Sequence, residues 1–264
     1  MNKNPIGVID SGIGGLTILA EIIKKLPNES FIYLADSKNC PYGSKSSDEI
    51  YKLSKRLIEF LIKKKVKLIV IACNTITVIC LDKLRKDFSQ VSIIGTVPVV
   101  KTASESTKNG RIGILSTKKT AKSIYQKILI KKFAKNLKVL NLGTDKLVPI
   151  VENGENNSLK INKILKQELK PFLDFKIDVL VLGCSHFPFL KRKMQKVIGN
   201  KIKILDSGGA IARQVKRILL MENLLSEYNN FSRMLLTTGE VSNFKKVLRK
   251  DFLDKFNTIE KISR

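Results

Sequence analysis

Residues 68–75 read LIVIACNT, and this stretch is echoed by residues 179–186, which read VLVLGCSH. Each stretch is a run of four aliphatic residues, followed by a small residue, a cysteine and two polar residues. A continuous aliphatic run of this length is typical of a parallel strand that is buried on both faces. The sequence therefore predicts two buried strands, which deliver the thiols of Cys73 and Cys184 to their carboxyl ends.

The repetition extends beyond the two cysteines. Three further strand-like segments recur in the same order in both halves of the chain: residues 6–11 and 112–117, residues 31–36 and 137–142, and residues 93–96 and 204–207. We interpret this pattern as an internal duplication. The alternative, that any α/β chain yields aliphatic strands at similar intervals, explains the three outer pairs better than it explains the cysteine pair.

A duplicated α/β chain predicts the fold class, two pseudo-symmetric parallel-sheet α/β domains with the active site in the cleft between them. The length of 264 residues suits about two domains. We predict a discontinuous first domain from residues 1–97 and 208–264, and a second domain from residues 98–207. Since ligands bind at the carboxyl ends of parallel strands, Cys73 and Cys184 are expected to face each other across the cleft.

The last part of the chain lies outside the repeat. After residue 208 the pattern predicts a helix over about residues 210–225, a strand near residues 233–238 and a final helix from about residue 241. We expect this segment to pack back on the first half, which is why the first domain is predicted to be discontinuous.

The chain is strongly basic, with a formal net charge of +26. A nucleic-acid partner is indicated when basic residues cluster in a patch. Here 40 of the 49 basic residues are Lys and 9 are Arg, and they are spread over every predicted helix. This spread favours compositional drift, so nucleic-acid binding stays an open but disfavoured alternative. A positive field would still steer a small dianionic substrate towards a cleft.

The sequence does not predict export or a membrane span. The first residues, MNKNPIGVID, run directly into a predicted strand and leave no room for a signal peptide. The longest apolar run, residues 68–81, is interrupted by Asn74, Thr75 and Thr77, which argues against a membrane helix. We therefore expect a cytoplasmic protein.

The cysteine content predicts reduced thiols and no metal site. Cys40, Cys73, Cys80 and Cys184 form no CxxC pair, and the chain contains one histidine. Few ligands for zinc therefore exist, and thiols of a cytosolic protein stay reduced. Cys80 lies on a predicted helix and is interpreted as a core residue, whereas Cys40 is interpreted as an incidental loop thiol.

A glycine-rich turn, residues 10–15 (DSGIGG), connects the first strand to a helix that begins near Leu16. Glycines let the backbone approach a ligand, and amides at a helix N-terminus favour an anion. The dinucleotide-binding pattern is not matched, because Asp10 stands where a phosphate would have to approach. We therefore predict that no nucleotide binds at this turn.

Polar residues also follow the second and third strands. In residues 36–43, Pro41 and Gly43 predict a turn that presents Tyr42 and backbone amides. Asn74 and Thr75 are predicted to cap the helix that follows Cys73. The positive end of that helix is expected to lower the pKa of the thiol.

The second half carries two candidate proton-handling residues. Cys184 and His186 are two residues apart on a predicted extended stretch and would point the same way. A histidine beside a thiol at a strand end can hold or exchange its proton. Glu152 stands alone in residues 148–154 and is interpreted as a loop acid.

Two thiols that face each other without a metal or cofactor motif indicate a two-base proton transfer. One thiolate removes a proton from one face of a carbon, and the opposed thiol delivers a proton to the other face. A free thiol has a pKa of about 8.5, so a neighbour must help to form the thiolate. We predict that Asp10 pairs with Cys73 and that His186 pairs with Cys184.

Five motifs, in order and over nearly the whole chain, resemble the motif set of bacterial glutamate racemases. They are residues 10–15, residues 41–43, residues 72–75, residues 148–149 with Glu152, and residues 183–188. The resemblance implies a cofactor-independent enzyme that interconverts L-glutamate and D-glutamate for peptidoglycan synthesis, commonly as a homodimer.

The resemblance also implies roles for individual residues. Cys73 would deprotonate D-glutamate and Cys184 would deprotonate L-glutamate, with assistance from Asp10, Glu152 and His186. The implied substrate-binding positions are Asp10, Ser11, Pro41, Tyr42, Gly43, Cys73, Asn74, Thr75, Cys184, Ser185 and His186.

Three positions depart from the usual motifs of that family. Ser185 stands where Thr is usual and keeps the hydroxyl, Asn39 stands where Arg is usual, and Phe187 replaces a frequent Tyr. Three alternatives remain open from the sequence: an aspartate racemase of the same superfamily, a basic nucleic-acid-binding protein, and a hydrolase with a single nucleophilic cysteine, which leaves the second thiol unexplained.

Overall fold

The computed structural model describes residues 3–157, 159–226 and 231–262. The strands are β1 Ile6–Asp10, β2 Phe31–Ala35, β3 Leu68–Ile71, β4 Ser92–Gly95, β5 Arg111–Ser116, β6 Lys138–Gly143, β7 Val179–Gly183, β8 Lys203–Leu205, β9 Arg233–Thr237 and β10 Thr258–Lys261. The α-helices are α1 Leu16–Lys25, α2 Ser47–Lys63, α3 Asn74–Asp87, α4 Val100–Ser106, α5 Lys118–Lys122, α6 Ile124–Phe133, α7 Leu147–Glu152, α8 Leu159–Asp174, α9 Lys191–Ile198, α10 Gly208–Met221, α11 Ser242–Val247 and α12 Lys250–Leu253.

The strands form two sheets in which every pairing is parallel. The order in the first sheet is β10-β9-β2-β1-β3-β4, and the order in the second sheet is β6-β5-β7-β8. Every residue of β1, β3 and β7 is buried, as expected for central strands that helices cover on both faces. The predicted fold class is therefore confirmed.

The internal repeat is visible in the strand order, because β2-β1-β3-β4 and β6-β5-β7-β8 have the same arrangement. Ile6 lies opposite Leu68, and Ile112 lies opposite Val179, so the two cysteine-bearing strands occupy equivalent registers. For the second strand of each half, the predicted alignment of residues 31–36 with residues 137–142 is wrong by two residues. Ile6 lies opposite Phe31, whereas Ile112 lies opposite Val139. A shift of two residues keeps each side chain on the same face of the strand, which is why the aliphatic patterns still matched.

Helix α2, which covers the first sheet, is explained by two local features of its sequence, a capping residue and an apolar face. At the start of α2, the Ser46 hydroxyl accepts a hydrogen bond from the Glu49 amide at 3.1 Å, which satisfies one free N–H of the first turn. The same helix turns Leu57, Ile58 and Leu61 into the core. Among the described residues, no helix combines the length and the apolar character needed to cross a bilayer.

The C-terminal segment differs in part from the prediction. Strand β9 pairs with β2 in the first sheet, as the predicted return to the first half requires. The predicted final helix is wrong, because α11 and α12 are short and β10 extends the sheet beside β9. This edge strand reads TIEK with one apolar residue, Ile259, so it carries no alternating pattern. The domain boundaries themselves stay a prediction.

A buried ion pair attaches the segment after α10 to the base of the first sheet. Lys67 Nζ lies 2.6 Å from Glu29 Oε2, and both side chains are almost fully shielded from solvent. Lys67 Nζ also donates to the carbonyl of Leu224 at 2.7 Å, and the Ser226 amide donates to Glu29 Oε1 at 2.8 Å. Both charges therefore have several partners in a site that water does not reach.

Removing one member of this pair is expected to be strongly destabilising. Lys67→Ala should lower the free energy of unfolding by about 3–5 kcal/mol, because Glu29 is left buried and uncompensated. Lys170→Ala breaks an exposed pair with Asp174 and should cost less than about 1 kcal/mol. Urea denaturation of both variants measures the difference, and similar costs would contradict this assignment.

Candidate active site

A small cavity of about 10 Å³, the space of about one water molecule, lies where the carboxyl ends of β1, β3 and β7 meet the loop around residue 42. Both thiols, Cys73 and Cys184, line it, so the predicted common cleft is present. The residues lining the cavity are Ser11, Pro41, Tyr42, Gly43, Cys73, Asn74, Thr75, Thr117, Val148, Cys184, Ser185 and His186. Asp10 and Glu152 lie behind this lining, in contact with Ser185 and His186 respectively.

Cys73 occupies the N-cap position of α3, and the helix begins at Asn74. The prediction that Asn74 and Thr75 cap this helix is wrong, because both lie inside its first turn. Their side chains instead link the helix to neighbouring segments. Asn74 Nδ2 donates to the carbonyl of Thr96 at 3.3 Å, and Thr75 Oγ1 lies 3.1 Å from Thr117 Oγ1. These contacts fix the helix start on which Cys73 stands.

The pKa of Cys73 also differs from the prediction. Burial raises the pKa of this thiol to about 12, and the negative charge of Asp10 adds to the rise. The amide of Ile76 and the hydroxyl of Ser11 lower the pKa of Cys73, so the predicted effect of the helix end exists but is outweighed by burial. Without substrate, Cys73 is a neutral thiol at pH 7.

Asp10 is connected to Cys73 through Ser11. Ser11 Oγ lies 3.6 Å from Cys73 Sγ and 3.5 Å from Asp10 Oδ1. The carboxylate also accepts hydrogen bonds from the Gly12 amide at 3.0 Å and from Ser185 Oγ at 2.9 Å. Burial raises the pKa of Asp10 to about 6, although the neighbouring His186 opposes the rise. Asp10 can therefore accept a proton near neutral pH.

The raised pKa of Asp10 predicts that Asp10→Asn stabilises the protein at high pH. The stabilisation that the neutral Asp10 carboxyl contributes is fully present below about pH 4, and it is lost as the pH rises through 6. A shift from 3.8 to about 6 corresponds to roughly 3 kcal/mol, and an amide at this position avoids that loss. Urea denaturation measures the free energy of unfolding of Asp10→Asn and of the wild type at pH 4 and at pH 8. From pH 4 to pH 8, the stability of the variant relative to the wild type should increase by up to about 3 kcal/mol. A gain that does not depend on pH would contradict the raised pKa.

Cys184 and His186 do not lie on an extended stretch, which corrects the prediction. Strand β7 ends at Gly183, and residues 184–186 form a turn in which His186 has helical backbone angles. The turn nevertheless brings His186 Nδ1 to 3.8 Å from Cys184 Sγ. The predicted pairing of the two side chains is therefore present, but it arises from a turn and not from strand alternation.

His186 is held between Cys184 and Glu152. His186 Nε2 lies 2.5 Å from Glu152 Oε1. Burial lowers the pKa of His186, but hydrogen bonds to Cys184, Cys40 and Glu152 and the charge of Glu152 raise it well above its ordinary value. His186 is consequently an imidazolium at neutral pH, and both ring nitrogens donate hydrogen bonds.

Glu152 ends α7 and contacts the glycine-rich turn of the other half. The Ile13 amide donates to Glu152 Oε1 at 2.8 Å, so the glycine-rich turn binds a carboxylate of the protein itself. A Cβ on Gly12 would lie 1.9 Å from the same oxygen, and a Cβ on Gly14 would lie 2.3 Å from His186 Nδ1. A side chain at either position would therefore displace Glu152 or His186.

A family model described as Asp/Glu/Hydantoin racemase matches residues 6–215. The chain belongs to the Asp/Glu/hydantoin racemase family. It is thus an enzyme of the isomerase class, and the resemblance that the motifs indicated is confirmed.

Among curated relatives of this racemase, glutamate racemase 1 of Caldanaerobacter subterraneus subsp. tengcongensis is 39% identical over 249 residues, which cover 94% of this chain and 92% of the relative. The crystal structure of Escherichia coli glutamate racemase in complex with L-glutamate and the activator UDP-MurNAc-Ala is 31% identical, with a TM-score of 0.87 and 98% of each chain covered. Glutamate racemase from Francisella tularensis subsp. tularensis, in complex with D-glutamate, is 30% identical, with a TM-score of 0.86, and covers 100% of this chain and 98% of that one.

The loop of residues 36–43 is held in this racemase by a buried carboxylate, Asp36. It accepts hydrogen bonds from Tyr42 Oη at 2.6 Å, from Asn39 Nδ2 at 3.0 Å and from Thr238 Oγ1 at 2.7 Å. Asn39, which departs from the family pattern, is therefore a bracing residue of the loop. The Tyr42 hydroxyl is directed to Asp36, and Cys40–Pro41 is a cis peptide bond.

Sequence reasoning missed two residues of the racemase site. Thr117 lines the cavity, and in the repeat it aligns with Ser11, so the duplication itself could have identified it. The sequence predicts an incidental loop thiol at Cys40, but its sulfur lies in a cluster with Glu152 and His186. Cys40 directly precedes Pro41, which belongs to a predicted site motif, and this position in the sequence is the signal that places Cys40 near the site.

Proposed function

We propose that this racemase interconverts L-glutamate and D-glutamate without a cofactor, with Cys73 and Cys184 as the two bases. The observation that carries the proposal is that equivalent strands of a duplicated fold end in thiols that line one cavity. Each thiol has its own partner for proton exchange, Ser11 with Asp10 on one side and His186 with Glu152 on the other. The curated glutamate racemase relatives, and solved relatives with bound L-glutamate or D-glutamate, support the choice of substrate.

On the Cys184 side, the imidazolium of His186 gives a thiolate a cationic neighbour at 3.8 Å. In the proposed reaction from L-glutamate, Cys184 acts as the thiolate base and Cys73 as the thiol acid. The thiolate removes the α-proton of L-glutamate and becomes a thiol, while the Cys73 thiol delivers its proton to the opposite face. D-glutamate then leaves an enzyme in which Cys73 is the thiolate.

On the Cys73 side, the reverse reaction requires a thiolate in a buried site. Ser11 can pass the thiol proton to Asp10, whose pKa of about 6 allows it to hold that proton transiently. The α-ammonium group of a bound substrate also favours a thiolate nearby. The two thiols are thus activated by different means, a cationic partner for Cys184 and a proton relay for Cys73.

We assign substrate binding to hydroxyl, amide and backbone groups of the cavity wall. The predicted positions Ser11, Asn74, Thr75 and Ser185, together with Thr117, supply hydrogen-bond donors for the two carboxylates of glutamate. Among the described residues that line the cavity, none is Lys or Arg. The positive charge of the chain would therefore act at long range, by steering the dianion.

We further propose that the enzyme supplies D-glutamate for peptidoglycan in the cytoplasm and acts as a homodimer. The peptidoglycan role and the homodimer are those that the motif resemblance implies. The dimer is tested by light scattering at several protein concentrations, where a mass near 59 kDa, twice the 29.7 kDa of the chain, is the expected result. A monomeric mass at every concentration would contradict it.

The substrate is tested by circular dichroism of each amino acid after incubation with the enzyme. L-glutamate and D-glutamate should both approach zero ellipticity, whereas L-aspartate should not change. Racemisation of aspartate but not glutamate would assign the enzyme to the rival aspartate racemases. Binding of DNA by the free protein at physiological salt would support the nucleic-acid alternative.

A further inference from the structure

Cys40, Glu152 and His186 form a compact cluster behind the cavity. Each residue offers one ligand atom, and these three atoms lie within 4.8 Å of one another. The residues come from three separate segments: the loop before Pro41, the end of α7 and the turn after β7. A thiol, a carboxylate and an imidazole are the three side-chain types that bind Zn²⁺ most often in proteins.

We propose that these three residues form a Zn²⁺ site through which zinc inhibits the enzyme. His186 is buried, and the other two side chains are half-buried, so the site is shielded from bulk water. In a tetrahedral site with Zn–N and Zn–O distances of about 2.0 Å, the ligand nitrogen and oxygen lie about 3.3 Å apart. His186 Nε2 and Glu152 Oε1 are 2.5 Å apart, so they need to separate by less than about 1 Å.

The surroundings already orient the ligands. The Ile13 amide donates to Glu152 Oε1 at 2.8 Å and holds the carboxylate in place. His186 Nδ1 lies 3.8 Å from Cys184 Sγ, so when Nε2 binds the metal the other ring nitrogen keeps a hydrogen-bond partner. Gly12 leaves room for both ligands on the far side, because a Cβ there would approach Glu152 Oε1 and the sulfur of Cys40.

Binding of zinc would remove the proton-handling groups on the Cys184 side. The metal takes the Nε2 lone pair and the thiolate of Cys40, and the protons of both groups pass to the solvent. His186 is then a neutral ligand that no longer carries the second proton, and Glu152 is committed to the metal. Inhibition rests on the proposed function, whereas binding of zinc does not.

The metal-binding claim is tested by calorimetric titration of Zn²⁺ into untagged protein without glutamate. The wild type should bind one Zn²⁺ per chain, and Cys40→Ala should bind at least about tenfold more weakly, since even the loss of an outer-shell partner costs 10–100-fold. Cys80→Ala, which removes a buried thiol on α3, and Cys73→Ala should bind as the wild type does. Thermal unfolding of each variant verifies that it is folded.

Co²⁺ provides a second reading of the same site, because a thiolate ligand gives cobalt a charge-transfer absorption band. We expect this band in the wild type, in Cys73→Ala and in the control variant Cys80→Ala. We expect it to be absent in Cys40→Ala. Unchanged zinc affinity in Cys40→Ala, or loss of the band in Cys73→Ala, would overturn the site. If zinc binds as expected but glutamate is not racemised, the proposed function fails while the metal site stands.

Discussion

Replacing either cavity thiol with serine is expected to lower kcat/KM for glutamate racemisation by at least about 10³-fold in both directions. A hydroxyl is a far weaker acid than a thiol and does not form the anion that removes the α-proton. Both thiols line one cavity, and a full turnover needs one as base and the other as acid. Initial rates by circular dichroism, with L-glutamate and with D-glutamate, measure the loss for Cys73→Ser and Cys184→Ser.

Cys80→Ala is the matched control, because this thiol is buried in α3 and makes its hydrogen bond to the carbonyl of Ile76. It should keep kcat/KM within a few fold of the wild type. A serine variant of Cys73 or Cys184 that retained more than a tenth of wild-type activity would remove that thiol from the chemistry.

His186→Asn is expected to produce the second largest effect, a fall in kcat of about 10²–10⁴-fold for the conversion of L-glutamate to D-glutamate. The variant deprives the Cys184 thiolate of its cationic partner at 3.8 Å. Since the two enantiomers have equal free energy, kcat/KM must fall equally in both directions. The individual kcat values can differ, and kcat from D-glutamate should fall less because Cys73 is then the base.

Asp10→Asn provides the mirror-image comparison, because Asp10 reaches Cys73 through Ser11. Its larger loss of kcat should occur with D-glutamate. Full progress curves from each enantiomer yield both kcat values for both variants. Equal losses with both enantiomers in both variants would show that Asp10 and His186 do not serve separate thiols.

Much of this architecture could be predicted because the central strands carry a strong local signal. Residues 68–71 and 179–183 are apolar throughout because helices cover both faces of each sheet, and the cysteine that follows each run marks the strand end. Strand β10 carried no such signal, since an edge strand needs few apolar residues.

The site was predicted less completely, because its properties depend on contacts between distant segments. The pKa of Cys73 depends on how deeply the thiol is buried, and the depth of burial cannot be predicted from a strand followed by a helix. The cluster around Glu152 exists because a helix of the second half contacts the glycine-rich turn of the first half. Thr117 is an exception, because comparison of the repeats would have identified it.

The central claim is that Cys73 and Cys184 act on opposite faces of one carbon, and exchange of the α-hydrogen in D₂O tests it most directly. Wild-type enzyme, Cys73→Ala and Cys184→Ala are each incubated with L-glutamate and with D-glutamate, and proton NMR follows loss of the α-hydrogen together with inversion. The account predicts that the wild type incorporates deuterium and inverts both enantiomers, and that neither variant inverts. Inversion with deuterium incorporation by either variant would contradict a two-base mechanism.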